Sequence, residues 1–399
     1  MITYKNNIEY YGLLFLAFFP LYPFFLLSIG IGVYLISVFL SRYLGKVKQE
    51  KTNYHFIFLS VLFYLFLLIK AFLNENYIEE IKYFRSSVSL LIFPLAWLIS
   101  NKPISSKQRK NVIKIFVYSS FILAIYIVFF SLFFTLKTNR NFNIFYEEIP
   151  IINVHPNYAS LYFLTSILFI YLNLKESKSK IIDVLLMLFF TTILFILAVR
   201  VVIVALLIIL SIEFLFNKQF STITKSSIFI GVILLAVFSF FIIKPFNKKI
   251  KETILLQKIE LPYAKFPTST QIRLGIYDCA LPIVEKNFFF GVGAQSFEKE
   301  INECYKKFNN YDKVNYNTHN YYLFLLGSSG IFSLLSFVYL FALHLKKAVA
   351  LKDHLYLYIT ISLLITLLTE NFLSRVQGAI FAMFFITLFI KSNNLLVEK

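Results

Sequence analysis

Apolar runs of roughly 16 to 25 residues recur along almost the whole chain, divided by short segments rich in Lys and Arg. A helix of about 20 apolar residues spans the hydrocarbon of a bilayer, because all its backbone N–H and C=O groups are satisfied within the segment. Repeated runs of that length point to a polytopic, all-α membrane protein. The charged fraction agrees: 15% of the 399 residues are charged and 58% hydrophobic, whereas soluble domains carry about 25% charged residues. There is too little polar surface to clothe a water-soluble globule of this size.

The stretch from Tyr10 to Leu40 is too long for one ordinary span and holds Pro20 and Pro23. Two short spans joined by a tight turn are expected, with one kinked helix as the alternative. The same prolines, with no small-residue cleavage site, argue against a cleavable signal peptide. Further spans are expected at 55–73, 84–100, 112–134, 155–173, 181–199, 201–216, 226–243, 319–343, 355–373 and 376–391, about twelve in all. The resulting division is 1–243 with nine spans, 244–318 as a hydrophilic subdomain, and 319–399 with three spans.

Orientation is read from the short loops, since long ones translocate regardless of charge. One alternate set holds Arg42, Lys46, Lys48 and Lys51, then Lys102, Lys107, Arg109 and Lys110, then Lys175, Lys178 and Lys180, then Lys218 and Lys225, then Lys346, Lys347 and Lys352; the other offers Lys82, Lys137 and Arg140. The first set is assigned to the cytoplasm. The large loop at 244–318 then faces away from it, as does the loop at 137–154. The net charge of +18 is explained by these orienting loops, so no nucleic-acid partner is expected. The two cysteines, Cys279 and Cys304, exclude a Cys-rich metal site, and whether they pair is left open.

Several residues carry candidate chemistry. Arg200 interrupts an apolar stretch from Ile181 to Phe216. A mid-membrane Arg costs about 2.5–3.5 kcal/mol on insertion scales, so the outer end of a two-helix hairpin suits it better; a snorkelling anchor is the plainer alternative. Arg273 lies in the large loop just before a helix-like stretch. Two converging guanidinium groups would suit a diphosphate, because each binds phosphate oxygens bidentately and stays charged. His319, at the join of loop and span, could take a proton from an attacking hydroxyl. His155, followed by Pro156, is either a helix-start hydrogen-bonding residue or a substrate contact. Glu370 and Arg375 flank the last outer turn, where an ion pair positioning a cavity is the plainer expectation.

Taken together and in order, His155-Pro-Asn-Tyr158, Arg200, Arg273, Phe290-Gly-Val-Gly293 with Phe297, Thr318-His-Asn-Tyr321 with Gly330, and Glu370 with Arg375 resemble the O-antigen ligase and polymerase family of bacterial glycan assembly. The resemblance implies an inner-membrane, metal-independent, cofactor-free glycosyltransferase. Its donor would be an undecaprenyl diphosphate-linked glycan and its acceptor lipid A-core or another glycan. It implies donor diphosphate binding by Arg200 and Arg273 and catalysis by His319. His155, Asn157, Tyr158, Asn320, Tyr321, Glu370 and Arg375 are further candidate contacts. Two departures stand out. Val201 and Val202 follow Arg200 where the family often has a small residue, and Val284 stands where polymerases often carry a Gly eleven positions after the Arg. The second slightly favours ligase over polymerase. A flippase for the same lipid-linked sugar is the rival from another class; it would spread ionisable residues at mid-depth or show an inverted repeat, and the sequence does neither.

Overall fold

The computed structural model describes residues 8–44, 54–73, 77–100, 102–138, 149–216, 221–242, 247, 269–309 and 316–393. Arg140, Lys46, Lys48, Lys51, Lys218 and most of 244–268 lie outside these residues. The helices are α1 (Ile8–Leu16), α2 (Phe24–Leu44), α3 (Tyr54–Phe72), α4 (Tyr77–Arg85), α5 (Ser89–Ile99), α6 (Ser106–Thr138), α7 (Pro156–Asn173), α8 (Lys180–Leu197), α9 (Arg200–Phe216), α10 (Thr222–Ile242), α11 (Ser269–Lys286), α12 (Ala294–Asn309), α13 (Tyr321–Ala350), α14 (His354–Leu367) and α15 (Val376–Asn393). No strand occurs among the described residues; an isolated bridge joins Ile149 and Val154.

A helix lies at each of the twelve expected spans, but they are unequal. By length and apolarity, α2, α6, α8 and α13 could each cross a membrane. Several of the others are shorter, α5 having 11 residues and α14 having 14. The expected span at 84–100 is broken, because α4 ends at Arg85 and α5 starts at Ser89. Serines cause the break: the Ser87 hydroxyl donates to the Phe84 carbonyl and Ser86 to the carbonyl of Ser374. Such local bonds compete with the helical ladder. Around Pro20 and Pro23 the chain forms two helices, α1 and α2, joined through a 3-10 turn at Phe19–Leu21.

One end of the bundle is locked by buried charges. Lys391 of α15 donates to both oxygens of Glu9 at 3.2 Å and to the Ser100 carbonyl at 2.9 Å. Both ends of this pair are fully buried. Arg109 makes two parallel bonds to Asp353, at 2.6 and 2.9 Å, and its guanidinium lies 4.7 Å from the Phe389 ring centre. These contacts tie α1, α6, α14 and α15 together.

The residues between α11 and α13 are bound to the bundle by backbone. α13 bends at Gly330, whose φ is +78°. The segment ending α11 inserts there: Val292 and Gly293 N–H donate to the carbonyls of Gly327 and Ser328, and Ile331 N–H to that of Phe288. A Cβ on Gly330 would sit 2.0 Å from the Phe289 oxygen, and one on Gly291, also at positive φ, 2.4 Å from the Ser328 carbonyl carbon. Chain insertion into the helical ladder produces the kink, and the glycines allow two backbones to touch. Glu80 of α4 accepts from the Gln295 and Ser296 N–H groups, satisfying the orphan donors that open α12. Cys279 of α11 and Cys304 of α12 form a disulfide. The stretch at 269–309 thus packs on α4 and α13 as part of the bundle.

Candidate active site

At the end of the bundle opposite the Glu9–Lys391 pair, helix termini surround a cavity of about 700 Å³. The first turns of α7, α9, α11 and α15 contribute to its lining, through Asn157, Arg200, Thr270 and Gln377 among others. Each helix N-terminus carries roughly half a positive charge and unsatisfied N–H groups. The C-terminal ends of α8 and α14 also reach the lining, through Ala198 and Leu368, so four N-termini stand against two C-termini and the balance favours anions.

Arg200 is the first residue of α9, and only Ala198 and Val199 separate it from α8. Ala198 caps α8 in the left-handed region at φ +53°, which costs a non-glycine residue about 1–2 kcal/mol. The tight turn places the guanidinium at the hairpin tip and not at mid-helix. There Nη2 donates to Ser269 Oγ at 3.0 Å and Nη1 to Thr270 Oγ1 at 3.3 Å. Arg273 is three and four residues beyond these partners on α11, so it shares their helix face, with Cβ spacing of about 5–6 Å. Both arginines line the cavity. The Arg273 Nε is buried without a hydrogen-bond partner, and no carboxylate lies within ion-pair distance of Arg273 among the described residues.

His319 also lines the cavity, in the turn before α13, at φ +45°. Its own N–H donates to Asn317 Oδ1 at 2.8 Å. Its Nδ1 lies 3.4 Å from Glu370 Oε2, long for a hydrogen bond. The same carboxylate oxygen accepts from Asn157 Nδ2 at 2.8 Å. Glu370 sits in the turn after α14, outside the helices. Burial pushes its carboxyl upward, but the hydrogen bond and charge of His319, with the charges of His155 and Arg273, outweigh this and hold it below the ordinary value. A carboxylate on Nδ1 favours the imidazole tautomer with hydrogen on Nδ1 and a lone pair on Nε2.

His155 is the N-cap of α7, its Nδ1 accepting from the Asn157 N–H at 3.2 Å. The helix-start bond expected of it is present, and its side chain lines the cavity as well. Tyr158 lines the cavity and packs on Phe372 at 4.6 Å between ring centres. Arg375 is exposed at the rim. The expected Glu370–Arg375 ion pair does not form among the described residues, because the turn aims Glu370 at His319 and Asn157. Asn320 and Tyr321 are not among the cavity-lining residues. Asn320 caps α13 by accepting from the Leu323 N–H, and Tyr321 is buried against Phe324 and Phe337.

The sequence reading missed Asn371, whose Oδ1 accepts from Thr318 Oγ1 and from the Asn320 N–H, at 2.8 and 3.0 Å. It fixes the histidine turn against the Glu370 turn. It also missed Asn153 and Gln377, joined by a 2.9 Å bond from Gln377 Nε2 to the Asn153 carbonyl. A signal was present: an Asn stands two residues before each site histidine, as Asn153 and Asn317, and Asn both accepts local hydrogen bonds and tolerates left-handed backbone. Among the described residues, three of the five non-glycine residues at positive φ, Asn153, Ala198 and His319, line the cavity, which is where strained backbone tends to collect. No group of three or more His, Cys, Asp or Glu able to hold a metal ion occurs among the described residues.

Residues 184–338 match the sequence model of a family described as O-antigen ligase. Over this stretch the chain is similar to the O-antigen ligase family. It runs from α8 to the middle of α13 and carries Arg200, Arg273, the Gly291–Gly330 contact and His319. His155, Asn157, Glu370 and Arg375 lie outside the match and are brought to the same cavity by the fold. No curated protein matches the chain. The family supports a membrane protein of glycan assembly, of the ligase or polymerase type, acting on lipid-linked glycans.

Proposed function

We propose that this cavity is the active site of a glycosyltransferase of ligase type, moving a glycan from undecaprenyl diphosphate to an acceptor sugar hydroxyl. The observation that carries the reading is the gathering of Arg200, Arg273, Arg375 and the His319–Glu370 pair around one space of about 700 Å³. In the reaction the acceptor oxygen attacks the anomeric carbon, and its proton passes to Nε2 of His319. The bond from that carbon to the diphosphate oxygen breaks, with its electron pair leaving on the diphosphate and the configuration inverting. Charge grows on the departing phosphates, where fixed guanidinium groups and helix N-termini stabilise it. Glu370 holds the imidazole in the useful tautomer and stabilises the imidazolium that forms. In this reading the guanidinium groups take the part a metal ion plays in other phosphate-releasing enzymes, and the transfer is metal-independent.

The disulfide supports an extracytoplasmic site, since such bonds persist in oxidising compartments. The Lys and Arg bias of the short loops supports the same orientation. In that orientation the loop between the spans of 1–243 and 319–399, residues 244–318, faces away from the cytoplasm. Lipid A-core is the acceptor favoured here, over a second lipid-linked glycan as in a polymerase, because Val284 replaces the glycine of the polymerase pattern.

The test has two arms. Cysteine placed at the exposed Lys299 should react with an impermeant maleimide in intact spheroplasts, and cysteine at Lys107 only after lysis. Purified protein given a defined lipid-linked glycan and a core acceptor should yield capped core, with undiminished rate in EDTA. Lengthened lipid-linked chains and a bare core would replace ligase by polymerase.

A further inference from the structure

A second cleft, of about 590 Å³, opens at the end of the bundle away from the candidate active site, between α6, the end of α7 and the start of α8. Its mouth carries the amines of Lys110, Lys114 and Lys178. Lys110 is paired with Glu176. Lys114 and Lys178 are exposed and form no ion pair among the described residues. Asp183 is the other carboxylate at the cleft, so two amines stand against one acid and one positive charge is left over. α8 begins here without a side-chain cap bond from Ser179, which adds unsatisfied N–H groups to the same mouth. Deeper in, the walls are apolar: Val117 and Tyr118 on α6, Ile182 and Leu186 on α8. Below Tyr118, α6 continues outward with exposed Ile122, Ile125 and Phe129, an apolar face suited to acyl chain.

We propose that this cleft binds an anionic phospholipid, its phosphate between Lys114, Lys178 and the start of α8, and its acyl chains along α6 and α8. Basic clefts between spans attract such headgroups at roughly a fivefold gain in affinity per cation near the surface. The excess of a single positive charge matches a lipid with one phosphate and no ammonium. The site is independent of the transferase reading, since it shares no residue with the other cavity.

Native mass spectrometry of the purified full chain, titrated with phosphatidylglycerol and with phosphatidylethanolamine of the same acyl chains, tests this. Wild type should retain phosphatidylglycerol in preference, and more weakly as ammonium acetate is raised. Lys114→Gln with Lys178→Gln should weaken retention roughly 30-fold, whereas Asp183→Asn, which removes the opposing charge, should strengthen it. The gain expected of Asp183→Asn keeps the test decisive if the lysine variant fails to fold. Equal retention of the two lipids by wild type, unchanged phosphatidylglycerol retention in a folded lysine variant, or no gain in Asp183→Asn would overturn the proposal.

Discussion

Lys391 sits between both oxygens of Glu9 at one end of the bundle, and Arg109 grips Asp353 with two parallel bonds. At the other end Arg273 keeps a buried Nε with no partner, Arg200 rests on two neutral hydroxyls, and Glu370 is held by a histidine at 3.4 Å and an amide. The residue types are the same and the arrangements are opposite. A buried pair with every bond made contributes to holding helices together, and breaking it exposes an uncompensated charge. Arg273, with no carboxylate within ion-pair distance among the described residues, keeps its capacity for an incoming anion. The comparison teaches that the number of charges at a helix end says little, whereas the number of unsatisfied ones says what that end is for.

The largest expected effect breaks the open end by chemistry alone. His319→Ala should lower single-turnover glycan transfer by roughly 10² to 10⁴, the usual share of a positioned base, while the protein stays folded in detergent. His155→Ala should do less, because its ring nitrogen serves the helix start. Near-normal transfer by folded His319→Ala would remove the base from the account.

The closed end should answer with the reverse pattern. Glu9→Ala leaves Lys391 buried without its carboxylate, and breaking such a pair costs about 3–5 kcal/mol. Denaturation should show that loss, with the transfer rate per folded molecule unchanged. A smaller effect sharpens the contrast by pH. Glu370 is held below its ordinary value of 4.5, so its folded-state contribution is present above that value and is lost as pH falls through the lowered one. The stability difference between wild type and Glu370→Gln should therefore be present above about pH 4.5 and shrink below it. A difference that keeps growing below about pH 4.5 would reverse the sign of the interaction.

Much of this contrast was legible in sequence, and unevenly. The apolar runs marked a helix at each of the twelve expected spans, because hydrophobicity over about 20 residues is a strong, local signal, but they did not mark the amphipathic α4 and α12. Arg200 was placed at a hairpin tip by the cost of burying it. The break at Ser86 and Ser87 was hidden, since it depends on hydroxyls reaching local and distant carbonyls. At the site, residues with charge announced themselves. Asn371 and Gln377 did not, because a neutral amide acquires its meaning from the backbone it clamps, and those partners lie 51 to 224 residues away. The partner of Glu370 was misread for a related reason: Arg375 is near in sequence, but the turn directs the carboxylate to residues 51 and 213 positions distant.

The central claim is that Arg200 and Arg273 hold a lipid diphosphate. It is tested most directly by the affinity of the purified protein for undecaprenyl diphosphate, measured calorimetrically in detergent or nanodiscs. Wild type should bind, and Arg200→Gln and Arg273→Gln should each weaken binding by about 10- to 100-fold, the worth of a hydrogen bond to a charged group. Arg273→Lys should recover only part of the loss, since an ammonium lacks the bidentate fork. Undiminished binding by folded Arg200→Gln and Arg273→Gln variants would contradict the account.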